Sequence, residues 1–284
     1  MDSKIGLVLE GGGLRGVYTA GVLDYFMDEN IYFPYIIGVS MGACNAASYI
    51  SNQRGRNKIV YTEYVSDKRY LSYTSLLKTG SLFGMKFIFE DIPNKYVPFD
   101  YEQFYTSEQE FLITATDCET GKPVYFNKTE CKDDIMQAFM ASSSLPFISK
   151  IVDYKGHKLL DGGISDSIPV RKALEDGNEK IVVVLTRDAE YVKEQFRHKI
   201  LAALRYRKYP ELVKAIINRY KMYNETTKYI KELEKQGKAL VIRPTSSLNV
   251  SRFERNMNEL AKLYELGYKE AKTCGDEVRA FVKS

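Results

Sequence analysis

The sequence predicts an α/β fold: a mainly parallel central sheet covered by helices on both faces, followed by a helical C-terminal part. Three observations predict it. Short apolar runs of strand length occur at Ile5 to Leu9, Tyr35 to Val39 and Ile181 to Leu185. Helix-like spacing follows the first two runs. Strands that alternate with helices are joined by crossovers, and crossovers make parallel pairs with helices on both sides.

The elements follow in order. Apolar residues at Val17, Ala20, Val22, Leu23 and Phe26 predict a helix over Arg15 to Glu29. Pro34 breaks the chain before the second strand. Gly42 to Ile50 is small and apolar, which suits a helix packed tightly on a sheet. Phe111 to Thr116 is a strand, Thr116 to Gly121 a turn, and Val124 to Phe126 the return. Asp134 to Ser142 is a helix that stops before Leu145 and Pro146. Lys158 to Leu160 runs into Asp161, Gly162 and Gly163. The run IVVVL at 181–185 is apolar enough for a central strand. Residues 190–236 are expected to be mostly helical, Ala239 to Ile242 to be the last strand, and Arg252 to Lys272 a further helix. The stretch 61–105 is the least regular, with 12 Phe and Tyr in 45 residues, interrupted by Gly80, Gly84, Pro93 and Pro98. It suits an apolar substrate wall or lid, and equally an aromatic-rich subcore.

Bulk properties narrow the class. A chain of 284 residues, 44% hydrophobic and 27% charged, suits one large domain, or a domain with an extension. The expected division is a catalytic core over 1–186 and a basic, mostly helical region over 187–284 packed on it. Cys44, Cys118, Cys131 and Cys274 form no C-x-x-C pair, and two histidines do not complete an obvious zinc site. They read as reduced thiols. The segment 1–13 lacks the apolar h-region of a signal peptide. Asn30 to Gln53 carries no charge, but Pro34, Gly38, Gly42 and Asn45 fit a strand, a turn and a buried helix better than a membrane span. The net charge of +4 is uneven: from Arg187 onward there are 22 Lys and Arg against 13 Asp and Glu. The excess concentrates in 198–223, as a solvated helix face or a surface for anionic membrane. No nucleic-acid motif accompanies it.

Three motifs carry chemistry. GGGLRG, Gly11 to Gly16, fits the G-x-G-x-x-G turn of dinucleotide-binding folds. That reading needs an acidic residue at the end of the second strand to hold a ribose. The second strand ends instead in GVSMG, Gly38 to Gly42. No G-K-[ST] follows the glycines, which removes the P-loop reading. GVSMG fits G-x-S-x-G, which sets a serine on a sharp turn between strand and helix. Ser40 then needs a base. His157 lies four residues before Asp161 in an extended run, about 13 Å away at about 3.3 Å per residue. His198 lies in the basic stretch. A carboxylate base remains, and Asp161 in LLDGG has apolar residues before it and two glycines after it. Partial desolvation would raise its basicity. The glycine amides then become a candidate oxyanion cradle, with Arg15 adding charge or forming a structural salt bridge.

GGGLRG, GVSMG and DGG, in that order, resemble the patatin-like phospholipase family. ASSSLPF at 141–147 and DGGISDSIPV at 161–170 resemble its supporting segments, although Ser167 stands where many members carry Asn. The clear resemblance covers about residues 5–175. The C-terminal IRPTSSLNVSRFERN and LAKLYELGYKEA look like a subgroup of bacterial members. The resemblance implies a Ser-Asp dyad without histidine, Ser40 as nucleophile and Asp161 as base. It implies Gly11, Gly12, Gly13, Arg15 and Met41 at the oxyanion and substrate site, and Gly16, Gly38, Gly42, Gly162 and Gly163 as motif glycines. It implies a cytoplasmic enzyme, peripheral at most to anionic membrane, that cleaves a lipid or acyl ester without metal or cofactor. Two rivals stand beside it: a histidine-dependent esterase, and a lipid-binding or regulatory protein on the same scaffold.

Overall fold

The computed structural model describes residues 4–132, 134–247 and 250–283. The first three residues of the 1–13 segment, and residues 248 and 249 of IRPTSSLNVSRFERN, lie outside the described residues. Eight strands form one sheet: β1 (Ile5–Leu9), β2 (Tyr35–Val39), β3 (Glu110–Asp117), β4 (Pro123–Asn127), β5 (Val152–Tyr154), β6 (His157–Asp161), β7 (Lys180–Val184) and β8 (Ala239–Ile242). Their order is β5-β6-β3-β2-β1-β7-β8, with β4 also paired to β3. The pairs among β1, β2, β3, β7 and β8 are parallel. Those of β4, β5 and β6 are antiparallel.

Side-chain alternation along the strands builds the three layers. Leu7, Leu9 and Ile36 face one core, shared with Val22 and Phe26 of α1 (Val17–Asp28), Ala43 and Ala46 of α2 (Met41–Ile50), and Ala138 of α3 (Ile135–Ser142). Val8, Ile37 and Val183 face the other, shared with Ala173 of α4 (Val170–Glu175). The C-terminal helices contribute to both faces. Beyond α5 (Lys199–Arg205), α6 (Pro210–Lys235) brings Tyr223, Ile230 and Leu233 to the second core. α7 (Met257–Thr273) brings Leu260 and Tyr264 to the first.

Two expectations need correction, for β7 and for the start of α7. β7 is internal, but it is next to last in the sheet; β1 and β2 hold the centre. The stretch 190–236 is mostly helical as expected, through α5 and α6, although residues 190–198 are not. Lys193 instead exchanges backbone bonds with the Asn224 side chain of α6, N–H to Oδ1 at 2.9 Å and O from Nδ2 at 3.1 Å, which satisfies its backbone without a helix. α7 begins at Met257 and not at Arg252, because the Asn256 side chain caps it by accepting from the Asn258 N–H at 3.0 Å. The aromatic stretch 61–105 packs most of its rings into the first core, with Tyr73 and Tyr96 left exposed, and Tyr61, Phe83 and Phe89 also line a cavity. Pro93 sits inside the helical segment Phe87–Tyr96, where wide i to i+5 turns, such as Val97 N–H to Ile92 O at 2.8 Å, accommodate it.

Candidate active site

Ser40 stands between β2 and α2 with φ 53° and ψ −124°. A non-glycine residue there is strained by about 1–3 kcal/mol and persists only where its surroundings hold it. The flanking glycines show what holds it. A Cβ on Gly38 would meet backbone atoms of Ala43 at 2.7 Å, and one on Gly42 would meet the carbonyl oxygens of Leu9 and Glu10 at 2.7 Å. The backbone N–H of Ser40 donates to Ser142 Oγ at 2.7 Å, and Ser142 Oγ donates to Thr114 O at 2.6 Å. That chain ties the turn to β3. Ser40 also occupies the N-terminus of α2, where the helix dipole favours negative charge.

The register along β3 brings Asp161 to the same place. A strand has two edges, and β4 pairs with Leu112 to Thr116 along one of them. β2 and β6 must therefore share the other. There Val39 pairs with Thr114, and the next residue, Ala115, pairs with Asp161. The end of β2, and so Ser40, meets the end of β6. Asp161 is 3% exposed. Its Oδ1 accepts the Gly163 N–H at 2.8 Å, whereas Oδ2 is buried with no hydrogen-bond partner among the described residues. Burial pushes the Asp161 carboxyl above its ordinary value, against the opposing pull of Arg219, the Ser40 hydroxyl, the Gly163 N–H and Arg252. Gly162 packs on Thr114 O so closely that a Cβ would stand 2.2 Å from it. Ser167 Oγ donates to Gly163 O at 2.7 Å, so serine at that position braces the turn.

Gly11, Gly12 and Gly13 line a polar chamber together with Ser40 and Asp161. Their amides, and that of Met41 at the start of α2, donate no hydrogen bond among the described residues. Gly13 has φ +57°, and a Cβ there would stand 2.8 Å from Arg252 O. Gly16 accepts the Asn45 Nδ2–H at 2.7 Å and lies against the Met41 side chain, which turns Met41 over the glycine loop. Glu10 fastens the chamber floor. Its carboxylate accepts from the Thr186 N–H at 2.6 Å, Thr186 Oγ1 at 3.0 Å and the Tyr223 hydroxyl at 2.8 Å.

The chamber also collects cations. Arg15, expected near the turn, is 8% exposed and forms no ion pair among the described residues. Burial and the neighbouring Arg187 and Arg252 push its guanidinium down to about 10. Arg187, Lys193, Arg219 and Arg252 line the same space. Sequence reasoning missed these four as site residues, and it read Arg219 within a basic surface stretch. A second, apolar cavity meets the polar chamber at Gly13, Ser40 and Leu145. Tyr61, Phe89, Ile92, Met136 and Phe139 line it.

Neither histidine lines the chamber that holds Ser40 and Asp161. His157 Nδ1 bonds Asp117 Oδ2 at 2.8 Å, and His198 stands at the N-terminus of α5 without a side-chain capping bond. Cys44 sits in the apolar cavity, where burial pushes its thiol up to about 11 and leaves it protonated. Among the described residues, no group of three or more His, Cys, Asp or Glu is arranged to hold a metal ion. No helix among them is long and apolar enough to cross a membrane.

The chain belongs to the patatin-like phospholipase family, whose model matches residues 7–174. A domain of unknown function, DUF6363, matches residues 209–283. The uncharacterized protein YjjU of Escherichia coli (strain K12) is 28% identical over 96% of this chain and 76% of its own length. A probable lipid hydrolase, 463L, of Invertebrate iridescent virus 6 is 26% identical over 61% of this chain and 64% of its own. The lysophospholipase nte1 of Aspergillus terreus is 28% identical over 59% of this chain, but the match spans only 11% of that protein. The crystal structure of VipD from Legionella pneumophila shares the fold, with a TM-score of 0.50 at 11% identity, over 98% of this chain and 67% of that one.

Proposed function

We propose that this protein is a serine acyl hydrolase of lipid esters that works with a Ser40–Asp161 dyad. The observation that carries the reading is the position of Ser40. It stands where an apolar cavity meets a polar chamber lined by a buried carboxylate and by glycine amides that are unpaired among the described residues. Family membership, and relatives named as a lipid hydrolase and a lysophospholipase, support it.

The acyl chain lies in the apolar cavity, with the ester carbonyl at Ser40. Asp161 takes the hydroxyl proton as Ser40 Oγ attacks the carbonyl carbon. The negative charge gathers on the former carbonyl oxygen, where the amides of Gly11 to Gly13 and Met41 receive it. One such donor is worth about 2.7–4 kcal/mol. Collapse breaks the ester C–O bond, and Asp161 returns its proton to the leaving alcohol. Water then attacks the acyl-serine, Asp161 takes the water's proton, and the second collapse restores Ser40 and frees the fatty acid. Burial raises the pKa of Asp161, which strengthens it as a base.

Membrane contact falls to α5 and the loop before it. Val192, Ile200, Leu201 and Leu204 are 69%, 78%, 53% and 70% exposed. Arg197, Lys199, Arg205 and Lys208 lie among them, an arrangement that suits the interface of an anionic bilayer. The test of the dyad is hydrolysis of p-nitrophenyl acyl esters by Ser40→Ala and Asp161→Asn proteins, checked for folding by circular dichroism. Each is expected to lose at least about 10³-fold in kcat/KM, and full activity in either removes the dyad.

A further inference from the structure

The polar chamber holds more positive charge than ester hydrolysis needs. Five basic side chains converge on it from five separate places. Arg15 comes from the glycine turn, Arg187 from the end of β7, Lys193 from the following loop, Arg219 from α6 and Arg252 from the segment before α7. Two carboxylates face them. Glu10 is committed to Thr186 and Tyr223, and Asp161 is the proposed base. None of the five cations forms an ion pair among the described residues. Arg15 Nε and Arg219 Nε are buried with no hydrogen-bond partner among the described residues. Buried cations are ordinarily paired, so these unpaired donors are suited to an anion that arrives with a ligand.

Aromatic faces hold two of them. The Arg187 guanidinium lies 4.3 Å from the Tyr191 ring centroid and Lys193 Nζ 4.4 Å from that of Tyr223. Arg219 Nη2 reaches the DGG turn, 3.0 Å from where a Gly163 Cβ would stand. Arg252 is tied to the glycine turn by its carbonyl, which accepts the Leu14 N–H at 3.2 Å. The cations are thus positioned by the same backbone that positions Ser40.

We propose that this chamber is a phosphomonoester subsite, so that the substrate class is an acyl ester of a phosphorylated alcohol, its acyl chain in the apolar cavity and its terminal phosphate among Arg15, Arg187, Lys193, Arg219 and Arg252. The inference rests on the reading of Ser40 as nucleophile. Guanidinium groups match phosphate oxygens by paired hydrogen bonds, and a dianion offsets the chamber's excess charge. A choline or ethanolamine head would bring its own cation among five others. Glycerol 3-phosphate is the simplest head group that brings such a dianion.

The experiment compares 1-oleoylglycerol 3-phosphate, 1-oleoylglycerol and 1-oleoyl-glycerophosphocholine as substrates of the full chain in neutral detergent micelles. The phosphomonoester is expected to exceed both others at least ten-fold in kcat/KM. In the Arg187→Gln/Lys193→Gln double variant, folded by circular dichroism, that preference is expected to fall at least ten-fold. Preference for either other lipid, or an unchanged preference in the double variant, overturns the inference. If no ester is hydrolysed, the nucleophile reading fails by itself. Calorimetric titration of Ser40→Ala protein then decides the subsite separately. Tighter binding of 1-oleoylglycerol 3-phosphate than of 1-oleoylglycerol supports it, and equal binding overturns it. sn-Glycerol 3-phosphate separates a lipid head from a free phosphate: binding as tight as that of the acylated compound overturns the acyl-ester assignment.

Discussion

Gly42→Ala adds one methyl group at the crowded side of the serine turn. Its Cβ would stand 2.7 Å from both Leu9 O and Glu10 O, about 0.7 Å short of the 3.4 Å at which ordinary contact begins. Both neighbours are backbone, one in β1 and one beside the glycine loop, so no side chain can swing away. The start of α2 must move outward and carry Ser40 with it. Overpacking of this kind costs about 1–3 kcal/mol. Alanine's better helix propensity returns up to about 1 kcal/mol. The net loss, up to about 3 kcal/mol, lowers Tm by up to roughly 12 °C, at about 2–4 °C per kcal/mol for a chain of this size class. Catalysis suffers further, because a displacement of about 1 Å costs on the order of 100-fold. The assay is thermal unfolding followed by circular dichroism, paired with kcat/KM on p-nitrophenyl butyrate. Gly11→Ala is the contrast. Its Cβ would stand 3.1 Å from Val39 O and 3.3 Å from Ser40 Cβ, so the fold gives slightly while a methyl group enters the proposed oxyanion region. The expected pattern is a larger Tm loss for Gly42→Ala and a rate loss for both. Wild-type Tm and wild-type rate in Gly42→Ala would refute the reasoning.

Asp161→Asn separates stability from activity. Burial holds the Asp161 carboxyl above its ordinary 3.8, so the folded state binds that proton more tightly than the unfolded chain. Stability therefore falls as pH rises through that window, by about 1.4 kcal/mol per pKa unit. The neutral amide avoids this, so Asp161→Asn should unfold at higher temperature than wild type at pH 7, with the gain gone below pH 3.8. A lower Tm at pH 7 contradicts it. Met136→Trp narrows the apolar cavity, and should reduce kcat/KM for p-nitrophenyl palmitate at least about ten-fold relative to the butyrate; parallel loss on both esters argues against that cavity as the chain site. Burial, then Arg219, Arg252 and Arg15 against the opposing Glu10, push Lys193 down to about 7; Arg187, Asp161, Tyr191 and Tyr223 also line its chamber. Binding of sn-glycerol 3-phosphate at pH 8 should reverse that depression and take up protons, read as a dependence of calorimetric heat on buffer ionisation enthalpy. No such dependence contradicts the placement of the phosphate beside Lys193.

Local features were legible in the sequence. Glycines at 38 and 42 announce a turn where backbones touch, and apolar runs announce strands that are buried on both faces. Elements that depend on distant partners were not. The meeting of Ser40 and Asp161 depends on two strands sharing one edge of β3, a register that links residues 121 positions apart and leaves no local trace. Arg219 sits in a basic helical stretch that looks like a solvated face, and only the packing of α6 on the sheet turns it inward. Residues 190–198 form no helix, and within them Lys193 finds both its backbone partners on Asn224, which no reading of 190–198 alone reveals.

The most direct test of the account is covalent capture at the serine. Purified wild-type protein is exposed to a fluorophosphonate probe and digested, and the modified peptide is sequenced by mass spectrometry. The account predicts a single adduct on Ser40 that forms at least ten-fold more slowly in Asp161→Asn. An adduct on another residue, no adduct at all, or an unchanged rate in Asp161→Asn would contradict it.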